Sequence, residues 1–316
     1  MVRRPEGASE LSALGVVLKQ GDILDKASMV AAFAGCDGVF HLAASYEFGV
    51  VGKRADEALR KNLDGTRLAL EAAWEAGAKR IVYTSTILVH GNTGGAVVPE
   101  SHKPANFSFP GLFPSHYAMS KARAHYEIAL PMIAKGAPII IVMPGGVIGP
   151  RDHSSYRLFW YLLARGLPVM CGSSIIATID VQDCAAGHAL VMEKGVIGES
   201  YHLLTENLSL PALIERAAAA AGIPGRKLVC PSWFLSVNAA MMGLVERVIP
   251  LPDVLSSDAL RSMNGIFFTA DGSKARALGF APRAIEESLR EILADEFLRA
   301  NRPLTPLLAP YSNTHQ

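Results

Sequence analysis

The chain is 316 residues long, which leaves room for one large α/β domain or two modest ones. Half of its residues are hydrophobic and 19% are charged, too apolar a mixture for a disordered chain. Thirty basic residues against 29 acidic ones give a net charge of +1 with no block of like charge, which argues against a nucleic-acid partner.

No apolar stretch is long and unbroken enough to span a bilayer, so no stable membrane insertion is expected. No secretory leader is expected either, because Pro5, Glu6 and Gly7 stand after Arg3 and Arg4, where an apolar run should follow. The four cysteines (Cys36, Cys171, Cys184, Cys230) include no C-x-x-C pair, and Cys171 and Cys184 read as small buried hydrophobes. The nine histidines lack metal-ligand spacing, so no metal is expected. These features suggest a cytoplasmic globular enzyme.

In chain order, short apolar runs at 16–19, 38–42, 80–84, 138–143 and 201–204 read as buried strands. Asp25 is a candidate N-cap for a short helix ending before Gly35. Helical patterns follow at 56–76, 116–135, 183–193, 210–221 and 284–300. Strand–helix alternation with nearly continuous apolar strands predicts a doubly wound α/β fold around a parallel sheet. The expected dinucleotide-binding part is 1–150, completed by about 176–205. A smaller, mainly helical lobe is expected from 151–175 and 206–302, with a poorly ordered tail over 303–316. In the loop Pro104–Pro114, Phe107, Phe109 and Phe113 are expected to be exposed. The stretch Trp233–Val245 reads as an apolar wall over a substrate pocket, in preference to a membrane-touching helix.

The chemistry centres on Tyr117 and Lys121. Spaced four apart on a helix they share one face, and an ammonium there can lower the phenol's pKa toward that of a useful general acid. Upstream, Ser85 and Thr86 stand at the carboxyl end of a strand, where parallel sheets bind ligands. Those hydroxyls can hold a substrate oxygen, or simply cap the strand. His116 is read as an exposed residue at a helix start, and His41 as packing at a strand end.

With these motifs in order, the sequence resembles the extended short-chain dehydrogenase/reductases, the NAD-dependent epimerase/dehydratase family. The segments that carry the likeness begin with Gly21-Asp22-Ile23-Leu24-Asp25, His41-Leu42-Ala43-Ala44, Asn62 with Gly65 and Thr66, and Ser85-Thr86 with Val89-His90-Gly91. They continue with Tyr117 and Lys121, Pro144-Gly145-Gly146-Val147 through Pro150, and Ile179-Asp180 through His188. A softer likeness over Phe267–Ala275 and Leu278–Pro282 points to the dihydroflavonol-reductase-like branch.

The resemblance implies catalytic roles for Thr86, Tyr117 and Lys121. It implies cofactor contacts from Asp22, Ile23, Ala43, Ala44, Ser85, Tyr117, Lys121, Pro144, Gly145 and Val147. Hydride would pass between NADP or NAD and a carbonyl carbon while Tyr117 moves the proton. The implied activity is that of an NAD(P)-dependent oxidoreductase on a small-molecule substrate. The same constellation also serves a nucleotide-sugar epimerase/dehydratase. A homodimer is implied through the helices that carry Leu59, Leu63, Leu70, Ile128 and Leu130.

One departure is large. The family opens with a strand and a G-x-x-G-x-x-G turn that binds pyrophosphate, and nothing before Val16 matches it. About thirty residues of the family pattern are missing from the front, and a start placed too late is the favoured reading. The alternative is a truncated, catalytically silent relative that acts as a binding protein. Val2 then stands at the end of the family's second strand, with Arg3 and Arg4 where the adenosine ribose is read. Arginine there favours the 2′-phosphate of NADP.

Overall fold

Short polar side chains set the helix starts by taking up free N–H groups. In the computed structural model, residues 1–46, 52–109, 111–152, 156–249, 251 and 255–311 are described. A one-turn helix, α1 (Ser9–Ala13), precedes α2 (Lys26–Phe33), where the Asp25 carboxylate accepts the Ser28 N–H at 3.2 Å. Strand β1 (Gly38–His41) leads to the long helix α3 (Lys53–Glu75) and to β2 (Arg80–Thr84). Helix α4 (His116–Ala124) starts under the Ser115 cap, and α5 (Leu130–Ala134) continues its path. Pro131 has no N–H to return to the carbonyl four residues back, and the turn before it widens into a π-helix at His125–Ala129.

Strands β3 (Ile139–Pro144) and β4 (Gly146–Ile148) follow, then α6 (Arg157–Ala164), β5 (Val169–Cys171) and β6 (Ile175–Asp180). Asp180 caps α7 (Val181–Lys194), which runs on to β7 (Ser200–Leu203) and β8 (Glu206–Ser209). Ser209 caps α8 (Leu210–Ala221), followed by β9 (Lys227–Val229) and α9 (Ser232–Val245). Ser256 caps α10 (Ser257–Met263); β10 (Phe267–Phe268), α11 (Ser273–Ala277) and α12 (Ile285–Arg299) close the chain of elements.

The main sheet has the order β1-β2-β3-β7, every pair parallel. All six residues of β3 are buried, as a strand covered on both faces requires. Ile139, Ile141 and Met143 join the core that includes Leu70 of α3 and Ala118 and Ala122 of α4. Ile140 and Val142 point the other way, to Cys184 and Val191 of α7. Each buried Ile, Leu, Val or Met side chain among them contributes about 1.5–3 kcal/mol. A second sheet, β10-β6-β4 with β8 antiparallel to β6, carries the smaller lobe beside a β5–β9 pair. The result is a Rossmann-like parallel sheet flanked by helices, with a smaller C-terminal helical lobe.

Several expectations need correction. Residues 16–19 form no strand: a lone bridge joins Val2 to Gln20, and Val16 and Val17 are exposed because no ladder continues past that rung. Phe40 and Leu42 are likewise exposed at the β1 edge. Strand β6 starts where the dinucleotide-binding part was expected to resume, yet it belongs to the second sheet. The tail is packed as far as it is described. Leu308 is fully buried, Leu304 and Tyr311 lie on the core, and Thr305 Oγ1 donates to the Ala221 carbonyl at 2.6 Å. Residues 312–316 lie outside the described residues. Among the described residues no helix is long and apolar enough to cross a membrane, and no cluster of His, Cys, Asp and Glu could hold a metal ion.

Candidate active site

Strand β2 delivers three hydroxyl residues to the carboxyl edge of the main sheet. The Ser85 N–H still donates to the Val142 carbonyl at 2.8 Å, extending the ladder by one rung. Thr86 is extended (φ −166°), and its Oγ1 accepts the Leu88 N–H at 3.3 Å, opening a 3₁₀ turn over Ile87–His90. Helix α4 then places Tyr117 in its first turn and Lys121 one turn later.

Lys121 is buried, and its Nζ donates to the Thr84 carbonyl at 2.7 Å. The ammonium also lies 4.9 Å from the centre of the Tyr83 ring. Burial pulls the Lys121 pKa down to about 8. Burial likewise pushes the Tyr117 phenol up to about 12, against the expectation that the nearby ammonium would lower it. Burial is the one cause that acts on each of the two groups. His41 and His125 are each pushed to about 3, first by burial and then by the Lys121 charge. Both stay neutral at ordinary pH, and His125 Nδ1 sits 3.0 Å from Ser85 Oγ.

A cavity of about 430 Å³ opens at this edge, lined by Ser85, Thr86, Tyr117, Pro144, Gly145 and Val147. Thr86 and Tyr117 therefore line one space. Gly145 has a steric reason to be glycine, since a Cβ there would lie 2.6 Å from the Ala177 carbonyl oxygen. The lobe supplies the opposite wall through Tyr156 and Phe159, Met170 of β5, Leu210 of α8, and Ala259 and Met263 of α10. Among the described residues, no Asp, Glu, Lys, Arg or His lines this cavity.

A second, open hollow of about 850 Å³ is lined by Arg3, Arg4 and Asp22 together with Gln20 and Asp25. Ile23 instead packs on α3, about 3.0 Å from where a Cβ on Gly65 would stand. Ala43 and Ala44 are exposed beyond β1, and with Ile23 they line neither hollow.

Of the loop aromatics, Phe107 is exposed as expected and the other two are not. Phe113 is fully buried, the Phe109 ring lies tilted against His116 with centres 3.9 Å apart, and none of the three phenylalanines lines the cavity. His116 is half-buried, not exposed, and burial lowers its pKa. Nor does α9 form the pocket wall; α10 does, with α9 packed behind it.

Tyr46 was missed by sequence reasoning. Its ring meets Tyr117 edge-on at 4.7 Å, and it lines the cavity. Asn62 could have signalled it, because its side chain bonds both the N–H and the carbonyl of Ser45 and also Ser120 Oγ. That clamp fixes the segment after β1 against α4.

A parallel sheet with hydroxyl, phenol and lysine gathered at its carboxyl edge defines a Rossmann-like nucleotide-dependent class of protein. The sequence profile of the "NAD dependent epimerase/dehydratase family" matches residues 2–203, and the chain belongs to that family. It is 31% identical over 304 residues to a Synechocystis sp. protein named "Putative dihydroflavonol 4-reductase", covering 91% of this chain and 83% of that one. Among solved structures, gox2253 superposes with a TM-score of 0.76 at 28% identity, covering 96% of this chain and 91% of that one. PA4631, a nucleoside-diphosphate-sugar epimerase from Pseudomonas aeruginosa, gives a TM-score of 0.69 at 23% identity, covering 93% and 86%.

Proposed function

We propose that the chain is an NAD(P)-dependent oxidoreductase that reduces a carbonyl, or oxidises the matching alcohol, on an uncharged and largely apolar small molecule. The supporting observation is a cavity that brings Thr86 and Tyr117 together with no charged side chain among the described residues of its lining. A nucleotide sugar carries a diphosphate, which calls for arginine, lysine or a helix N-terminus. The name of the Synechocystis relative points the same way.

The polar groups present suit the two ends of a nicotinamide dinucleotide. Tyr117 and the close backbone approach at Gly145 would hold one end, with Lys121 behind them on the Thr84 carbonyl, and Arg3, Arg4 and Asp22 would hold the other. When bound, that cofactor supplies or accepts the hydride. Tyr117 Oη gives its proton to the carbonyl oxygen, and Thr86 Oγ1 steadies the same oxygen. The charged Lys121 lowers the cost of the phenolate that remains, while the apolar walls exclude water. Two copies paired through α3 and α4 belong to the same reading, with Leu59 and Leu63 only half-buried on α3.

The second reading, a nucleotide-sugar epimerase, has the support of the Pseudomonas fold relative. Purified protein given reduced cofactor should consume it with aryl or alicyclic ketones and leave UDP-glucose unchanged. An epimerised sugar product would overturn the proposal. No turnover of any substrate would favour a binding protein.

NADPH should bind roughly tenfold tighter than NADH, because one charge-assisted pair to the 2′-phosphate is worth about 1.5 kcal/mol or more. Arg3→Ala with Arg4→Ala should erase that difference in a fluorescence titration. Tighter NADH binding would count against the assignment.

A further inference from the structure

Helix α9 is uncharged throughout and apolar on two opposite sides. Between Ser232 and Val245 it contains no Asp, Glu, Lys or Arg. At about 100° per residue, Leu235, Ala239 and Met242 form one stripe, which packs on Leu260 and Met263 of α10. Trp233, Val237, Met241 and Leu244 form a second stripe on roughly the opposite side. Their exposures are 68%, 54%, 48% and 61%. A helix with two opposite apolar stripes needs a cover for each, and this one is covered on one side only.

The exposed charges that flank it within 222–249 are basic. In the stretch 222–249 the only acidic residue is Glu246, which is buried with its oxygens on the N–H (2.8 Å) and hydroxyl (2.7 Å) of Ser257. Lys227 is paired with Glu215. Arg226, six residues before the helix, and Arg247, two residues after it, are left exposed. The apolar cavity also reaches the surface nearby, because Met170 and Leu255 both line it and are both exposed.

We propose that the outer stripe of α9 seats the protein on the surface of an anionic lipid bilayer, next to the opening of the apolar cavity. The helix lies in the interface and does not cross it: fourteen residues span about 21 Å, against a hydrocarbon core of about 30 Å. Trp233 and Phe234 sit at the headgroup level, where aromatic side chains are favoured. Arg226 and Arg247 meet lipid phosphates. A second copy fits this face less well, because a two-fold pairing would bring these arginines together with no exposed acid in the stretch to answer them. An apolar substrate dissolved in the bilayer would then lie beside Leu255 and Met170.

The test is co-sedimentation of the protein with phosphatidylcholine vesicles, with and without phosphatidylglycerol. It reads binding alone, so its outcome is separate from turnover. Binding should be roughly 30-fold tighter to the anionic vesicles, as two arginines at about 1 kcal/mol each would give, and Trp233 emission should shift to the blue. Trp233→Ser, Val237→Ser and Leu244→Ser together should abolish binding at an unchanged melting temperature, since all three are exposed. Arg226→Gln with Arg247→Gln should remove only the preference for anionic lipid. Wild-type protein that stays in the supernatant with both vesicle types would overturn the proposal. So would a dimer in light scattering that the triple serine variant converts to monomer.

Discussion

Tyr117→Phe lowers kcat by about 10³-fold, the middle of the range for losing a positioned general acid. The phenyl ring is kept, so its edge contact with Tyr46 at 4.7 Å survives and the cavity keeps its shape. Removing one hydroxyl from a polar contact costs about 1 kcal/mol, which moves the melting temperature of a chain this long by only about 2–4 °C. Activity and folding therefore separate in this variant. The raised phenol pKa of about 12 adds a directional expectation. Reduction, which draws on the protonated phenol, should vary little from pH 6 to 8. Oxidation of the alcohol should quicken as pH rises. Initial rates in both directions, alongside thermal melts, check the prediction. A variant retaining activity within about threefold would exclude Tyr117 as the general acid, given the minimum expected for such a group.

What the sequence disclosed follows from how local each signal is. The run 138–143 stands out as a strand because β3 is covered on both faces and needs no polar alternation. Asp25 and Ser209 act within three residues of themselves, so their helix starts are readable from composition. Tyr117 and Lys121 share a face through helix geometry alone, and a strand end supplies Thr86.

Other features depend on partners far along the chain. Residues 16–19 have strand composition, but composition cannot supply a neighbouring ladder. Leu304 and Leu308 lie in a Pro-rich tail, and only the tertiary structure shows them packed on the core. Helix α9 is apolar on both faces, so periodicity could not say which face would be covered; α10 settles it from twenty residues away. The cavity wall drawn from α6, β5, α8 and α10 is likewise assembled from short contributions without a common motif.

Lys121→Met should lower activity about 100-fold, as loss of a charge that stabilises the phenolate implies, and at the same time make the protein more stable. The lysine sits at its site against its own solvation. Its pKa of about 8 in the fold, against 10.5 for the free side chain, means that burial disfavours the charged form. Across that interval the unfolded chain binds more protons than the folded one, so native stability rises with pH between about 8 and 10.5. Below pH 8 the full cost is present, about 3 kcal/mol for a group this deeply buried. Methionine has nearly the same length and no charge, so it removes that cost. It also leaves the Thr84 carbonyl without the 2.7 Å lysine bond, a loss of about 1 kcal/mol. The net expectation at pH 7 is a gain of about 2 kcal/mol, or about 5 °C in melting temperature for a chain of this size. The gap between variant and parent should close as pH rises from about 8 to 10.5, because the parent lysine sheds its proton over that window. Urea melts at pH 7, 9 and 10.5 measure it directly. A Lys121→Met protein less stable than the parent at pH 7 would mean that the ammonium contributes to the fold more than it costs. A stability gap that does not change with pH would place the lysine's ionisation outside this window.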